Sequence, residues 1–583
     1  MGHVRLRRSV VRCRLESTTD GAGATVTYRY DADGNVTCLS YPNSDGNTCQ
    51  DVGSGVGIVT YVYNAAGENT SMTDWLGNTT SFSYDHDANV TSTTLPSGTD
   101  TTVADGYDDA DNLNSVSITT SGTPTTLADL TRDADEDVTA NSAGSGSSDD
   151  YDPLNQVTSA GSTSYAYDTA DQLTSTTTGS DTTDYAYNSD GQLCWTGTSS
   201  GACSSPPSGA TAYTYDTAGQ RTTATPSSGD ATTYGWSQAG TLTCETATNS
   251  SGYSCADPNS TVTSTYAYNG DGLRISDTPA GGSTQDFTWS TLGSTPQLLE
   301  DGTNFYLYGP NVGTAPIEQI SISGSTPTYL VSDNTGVREQ ISNSGDVDGT
   351  NAYSAYGNCS SCDANTPFGY AGAYTDSTGF QYLINRYYDP TTGQFMSVDP
   401  LVILTKAPYS YANGDPMNNT DPLGLWSLNP ISDISEATSD VGEAVVSTVT
   451  NHWRGIVTGV GLVAGVAAAA TGFGAIVEGS IALGLVSGGL GVVSGLADLP
   501  ACIGTSGHHD GLACTGVAVG VGSGLLGGAG AFAGALVETG AVTANGVVDI
   551  YGGLSGAFGF AGGVGAVTFD GILGENGYLE SCG

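Results

Sequence analysis

The residue types best suited to chemistry in this chain are its aspartates. Within 33 residues four of them stand directly before a proline: Asp389, Asp399, Asp415 and Asp421. Proline keeps the preceding residue out of the helical region and Asp caps turns, so one reading of these pairs is a set of tight turns. The other places two of the carboxyls face to face. Close, poorly solvated carboxyls cannot both ionise, and they share a proton. One can then activate water as general base while the other protonates the carbonyl or the leaving group. That is aspartic-protease chemistry, and it asks for no metal and no cofactor. The sequence contains no Gly-rich phosphate loop, zincin helix motif or Ser-centred elbow. His508-His509-Asp510, between Cys502 and Cys514, has metal-ligand residue types, but it reads as a polar loop between apolar segments.

The charge balance narrows the partners. Thirteen Lys and Arg face 60 Asp and Glu over 583 residues, a formal net charge of -47. Arg5, Arg7, Arg8, Arg12 and Arg14 crowd the N-terminus, and Lys406 is the only lysine. A surface of this sign repels phosphate backbones, which argues against nucleic acid as a partner of the main body. Gly is abundant at 82 residues and the acids are mostly Asp, both turn formers, while helix-friendly Glu and Lys are scarce. The N-terminus lacks the apolar stretch of a secretory signal. A repeat begins almost at once, so the sequence reads as the rear part of a longer chain.

That repeat has the form Tyr-x-Tyr-Asp/Asn-x-x-Gly-x-Leu/Val, at intervals of about 20 residues. Tyr28-Arg29-Tyr30-Asp31 with Gly34 and Val36 is a full copy, followed by Tyr61-Val62-Tyr63-Asn64 with Gly67. Degenerate copies lie at Tyr84, Tyr107 and Tyr151, and cleaner ones begin at Tyr165, Tyr185, Tyr213 and Tyr266. Tyrosines at i and i+2 share one face of a strand, Asp or Asn with Gly makes a turn, and Leu or Val opens a Thr-rich return strand. One hairpin cannot bury its tyrosines alone, so the hairpins must stack into a long, winding antiparallel sheet. Cys38/Cys49, Cys194/Cys203, Cys244/Cys255 and Cys502/Cys514 are local pairs nine to twelve residues apart, and they read as disulfide-stapled loops of an oxidising compartment. Cys359-Ser-Ser-Cys362 stands without a second such pair, which argues against zinc and against a redox motif.

These repeats resemble the YD-repeat, or Rhs, family. Residues 329–425 strengthen the likeness: Tyr382-Leu383-Ile384-Asn385-Arg386-Tyr387-Tyr388-Asp389-Pro390, Gly393-Gln394-Phe395-Met396-Ser397-Val398-Asp399-Pro400 and Asp421-Pro422-Leu423-Gly424-Leu425 are very similar to the Rhs repeat-associated core. The resemblance implies a mainly β fold, part of a β-shell that encloses a toxic polypeptide. It also implies that the shell cuts itself after this segment. In relatives the two Asp-Pro aspartates lie 22 positions apart, the separation of Asp399 and Asp421. The arginine that helps place that dyad corresponds to Arg386, and the cut falls between Leu425 and Trp426. One departure is Val402, where some relatives carry Gly, which leaves the loop after Asp399 open.

After Leu425 the repeat stops and Gly, Ala and Val dominate. Charge-free runs at 455–477, 479–497, 511–537 and 550–569 have the length of membrane-spanning helices, although their glycine weakens both helix and insertion. Three readings stay open for this tail: a membrane-active cargo, a linker that helps move a toxin lying further on, and a soluble Gly/Ala-rich helical domain. The organisation expected is a basic stub at 1–24, repeats at 25–328, the core-associated segment at 329–425 and a variable, mainly helical tail at 426–583. The partners expected are the tail itself as enclosed cargo, an immunity protein, secretion machinery, and a membrane through residues 455–569. The location expected is secreted or at the cell surface. A rival from another class is a surface adhesin whose tyrosine ladders bind carbohydrate, whose tail anchors it, and which is never cut.

Overall fold

The computed structural model describes residues 3–425 except 10–11, 22, 43–45, 54–55, 145, 249–254, 256–260, 294, 311–314 and 325. The tail, with its four apolar runs, Trp426 and the Cys502/Cys514 pair, lies outside the described residues. The chain forms two compact units, and the first, built mainly of Leu15–Ser290 and Thr295–Ile434, carries the repeats and the four clustered Asp-Pro pairs at 389, 399, 415 and 421.

The fold is mainly β. A 25-stranded antiparallel sheet runs to Gln285–Asp286, an eight-stranded one spans Thr288–Ser290 to Cys359–Cys362, and a four-stranded one runs from Tyr374–Thr375 to Gln394–Phe395. Strands pair with their sequence neighbours throughout the repeats, as in Thr25–Tyr30 with Val36–Ser40 and Ile58–Tyr63 with Asn69–Thr73. Each of these hairpins carries a register irregularity just before its second tyrosine.

The repeat's Asp has a definite task at the hairpin tip. The Asp31 carboxylate accepts the N–H groups of Gly34 and Asn35 at 2.8 and 2.9 Å. Asn188 does the same for Asp190 and Gln192, at 2.9 and 3.0 Å. An acceptor at this position thus satisfies backbone donors that a bare turn would leave open. The turn also needs one left-handed residue, which explains the glycine: φ is +86° at Gly67 and +76° at Gly191. Other hairpins place Ala88, Asp111, Glu136, Asn155 and Asp171 there, with φ between 58° and 69°.

The second tyrosine joins one hairpin to the one before it. Tyr63 donates its hydroxyl to the Val36 carbonyl at 3.0 Å, Tyr151 to Val138 at 2.8 Å, Tyr187 to Leu173 at 2.8 Å and Tyr268 to Leu242 at 2.7 Å. Each acceptor belongs to the Leu/Val position of an earlier hairpin. Other donors take the same place: the indole N–H of Trp236 bonds the Arg221 carbonyl, that of Trp289 the Arg274 carbonyl, and the Arg132 guanidinium the Leu113 carbonyl. The ladder therefore continues through copies that lack the Tyr-x-Tyr signature.

The core-associated segment packs onto this ladder. Val157, Tyr165 and Leu173 of the repeats share one apolar cluster with Ala355 and Tyr356. Another joins Val116, Ile118 and Val138 to Tyr329, Val331 and Ile341. Tyr167 departs from the ladder by bonding the Tyr356 hydroxyl at 2.7 Å.

Candidate functional site

The site is built on a tight turn between strands Gln381–Leu383 and Arg386–Asp389. Asn385 donates both its backbone N–H and its side-chain amide to the Leu423 carbonyl, at 3.2 and 3.0 Å. Arg386 is buried, with its guanidinium carbon 3.5 Å from the centroid of the Phe395 ring. Its Nε donates to the Gly424 carbonyl and its Nη2 to Asp421 Oδ2 at 3.0 Å. The other Asp421 oxygen accepts the Leu425 N–H at 2.8 Å. Two consecutive residues thus hold the backbone of 423–424, and Asp421 holds the start of Leu425.

Gly424 makes this approach possible. It sits at φ +65°, and a Cβ there would lie 2.7 Å from the Leu383 carbonyl oxygen and 2.9 Å from the Arg386 nitrogen. Leu425 itself is buried.

Asp399 belongs to a separate turn. Its Oδ1 accepts the Leu401 N–H and its Oδ2 the Thr405 hydroxyl, both at 2.7 Å. A single helical turn, Val402–Thr405, follows and ends at Lys406 in the left-handed region, φ 57°. Val402 is therefore compatible with an ordered loop after Asp399. Burial pulls the Arg386 guanidinium below its ordinary range, and the carboxylates of Asp421 and then Asp399 oppose this by their charge. Asp421 meets Arg386 directly, whereas Asp399 acts on it through space. The Nη1 of Arg386 is buried without a hydrogen-bond partner.

The other two Asp-Pro aspartates are tethers. Asp389 pairs with Arg221 of the repeats at 2.6 Å, with both side chains almost inaccessible. Asp415 accepts the side-chain amides of Asn418 and Asn419 at 2.8 and 2.7 Å, and burial pushes its carboxyl up to about 7. Asn418 in turn accepts the Val138 N–H at 2.8 Å.

Sequence reading alone missed Arg221 and Arg274. Both are fully buried, and Arg274 meets Asp376 at 2.7 Å among Phe287, Tyr374 and Tyr382. The signal was available. Arg221 pairs with Tyr215, and Arg274 with Tyr268, in the register where Leu193 pairs with Tyr187, so each arginine stands at an aliphatic position of the repeat.

Three of the four expected local disulfides are present: Cys38–Cys49, Cys194–Cys203 and Cys244–Cys255, with Cα atoms 5.8, 5.3 and 6.0 Å apart. Cys359 and Cys362 are also joined, on an exposed strand. Among the described residues no group of three or more His, Cys, Asp or Glu is arranged to hold a metal ion, and no helix is long and apolar enough to cross a membrane.

No family model matches the chain. Among curated proteins it is 25% identical over 210 residues to the double-stranded DNA deaminase toxin A of Burkholderia cenocepacia (strain H111), which covers 30% of this chain and 15% of that protein. It is 29% identical over 174 residues to the tRNA3(Ser)-specific nuclease WapA of Bacillus spizizenii, covering 28% of this chain and 6% of the relative. With the tRNA nuclease WapA of Bacillus subtilis (strain 168) identity is 38% over 85 residues, 13% of this chain and 4% of that one. The chain therefore spans 15% or less of the length of these relatives. A Photorhabdus luminescens Tc holotoxin pore is 16% identical with a TM-score of 0.45, covering 73% of this chain and 26% of that one. The Tyr–Asp ladder and the core-associated segment packed on it agree with the resemblance to the Rhs/YD-repeat family, and the curated relatives that share part of the sequence are toxins and tRNA nucleases.

Proposed function

We propose that this chain is part of a toxin shell that encloses its own C-terminal region and frees it by aspartyl autoproteolysis after Leu425. The observation that carries the reading is the Arg386 clasp: one buried guanidinium bonds both the Asp421 carboxylate and the Gly424 carbonyl, while Asp421 holds the Leu425 N–H. The peptide that leads to the cut is thereby fixed against a carboxylate, and the charge of Asp399 acts on the same guanidinium.

In the proposed reaction a water molecule attacks the Leu425 carbonyl carbon. One carboxylate of the Asp399/Asp421 pair takes the water proton, the other carboxyl gives a proton to the Trp426 nitrogen, and the C–N bond breaks. Two carboxylates and one guanidinium carry one net negative charge, so a single proton on the pair neutralises a buried cluster. The shell's task is to keep an apolar or toxic tail from water and from the producing cell until delivery. The released region at 426–583, an immunity protein, secretion machinery and a membrane as the tail's target follow from the same reading, as does a secreted or cell-surface location.

Intact mass of the purified chain beside Asp399→Asn and Asp421→Asn tests this. The expected result is fragments 1–425 and 426–583 from the native chain and a single whole chain from each variant. If all three stay whole, Asp399 and Asp421 are turn residues here and the uncut adhesin is the better account.

A further inference from the structure

Thr405 stands beside Asp399 in an arrangement that ordinary turn capping does not require. The Leu401 N–H alone would close the turn after Asp399, and it does so through Oδ1 at 2.7 Å. The remaining oxygen, Oδ2, takes the Thr405 hydroxyl at 2.7 Å. A hydroxyl has one proton to give. The direction of this one is set by its surroundings, because the Ala407 N–H donates to the Thr405 oxygen at 3.5 Å and the competing Leu401 carbonyl is 3.4 Å away. The short turn Val402–Thr405 and the left-handed Lys406 bring residue 405 back over residue 399.

We infer that Thr405 is a positioning residue for the cleavage: its hydroxyl fixes the rotation of the Asp399 carboxylate and presents it as the base of the pair. This rests on the autoproteolytic reading above. A carboxylate that accepts two donors is favoured in its charged form, and it is held from spinning about its last bond. Of the charged groups nearby, Arg386 feels the charge of Asp399 through space and bonds Asp421 directly, while Lys406 lies at the exposed end of the turn that follows Asp399. The side-chain hydrogen bonds of Asp399 come from Leu401 and Thr405, while Arg386 bonds Asp421 and the Gly424 carbonyl.

The experiment follows cleavage of the full chain over time by intact mass, from pH 4 to pH 9, for the native protein, Thr405→Val, Thr405→Ala, Thr405→Ser and Asp399→Asn. Loss of one hydrogen bond to a charged group predicts cleavage slower by about tenfold in Thr405→Val. Thr405→Ser keeps the donor and restores the rate, whereas Thr405→Ala does not. If Thr405→Val cuts at the native rate while Asp399→Asn does not cut, this inference fails and the dyad reading survives. If Asp399→Asn cuts like the native chain, the dyad reading itself fails. If Thr405→Val and Thr405→Ala both lose their thermal transition while Thr405→Ser keeps it, Thr405 is a structural residue and the inference is overturned.

Discussion

In a chain with thirteen cations against sixty acids, three arginines of the repeats and the core-associated segment are kept inside, while Arg29 is exposed and Arg132 and Arg338 are half-buried. Arg221, Arg274 and Arg386 are all buried, and each meets an aspartate of the core-associated segment: Asp389, Asp376 and Asp421. Two of these pairs dock the segment onto the repeats, and the third holds the backbone before Leu425. Arg386 does its work by geometry as much as by charge. Its planar fork reaches a carboxylate and a carbonyl together, which a lysine's single ammonium cannot. Arg386→Lys is therefore expected to keep the charge balance and still lose most cleavage, read as the fraction of whole chain by mass. Gly424→Ala tests the other side of the contact. A Cβ at that position would meet backbone atoms of Leu383 and Arg386 rather than the end of a flexible side chain, so residues 424–425 must move away from the guanidinium. The expected outcome is slow or absent cleavage with the thermal transition retained. Cleavage at the native rate in both variants would remove Arg386 from the machinery.

At the scale of the hairpin, stability divides into a tip and a stitch, and they can be altered in opposite directions. Glu136 holds the left-handed position of its turn at φ 69°. Glycine there removes a steric cost of roughly 1–2 kcal/mol, partly offset by its extra freedom in the unfolded chain, so Glu136→Gly should raise the urea midpoint. Tyr63→Phe strips the Val36 carbonyl of its donor and should lower the midpoint by the equivalent of about 1 kcal/mol. Equal midpoints for the two variants would sink this account of the ladder. The tip was readable in the sequence, because Asp followed by Gly at fixed spacing has a local cause. The fold class, the stacking and three disulfides were readable for the same reason. The stitch was not. Its acceptor is a backbone carbonyl, which any residue supplies, and its donor is Tyr in some copies, Trp at 236 and 289, and Arg at 132. The Tyr-x-Tyr pattern therefore undercounts the repeat. The role of Thr405 was equally hidden, since it depends on a single helical turn whose residues, Val402-Ile403-Leu404-Thr405, carry no capping signal.

For the molecule as a whole, the buried carboxyls set how stability changes with pH. Burial, first among the causes in every case, pushes Asp105, Glu245, Glu300 and Asp415 up to about 7, and Asp137 and Asp277 up to about 6. In the unfolded chain such groups titrate near ~4. Between those values the folded chain keeps protons that the unfolded chain has lost, so their contribution to stability is full below about pH 4 and falls as pH rises toward 7. Exposed turn aspartates act in the opposite sense. At Asp31 and Asp85 a burial penalty is outweighed by the Asn35 and Asn89 side chains and turn N–H groups, which hold these carboxyls below their ordinary range and contribute stability that is lost in strong acid. The net expectation is a maximum on the acid side of neutrality and a lower urea midpoint at pH 7.5 than at pH 5. Repulsion within a chain of formal charge -47 pulls in the same direction, and salt separates the two causes. At 1 M salt the screening length is about 3 Å, which silences exposed charges but leaves buried carboxyls largely unscreened. A pH difference that persists in high salt assigns the effect to the buried groups. One that vanishes assigns it to surface charge, and the raised carboxyls then have no part in holding the repeats together.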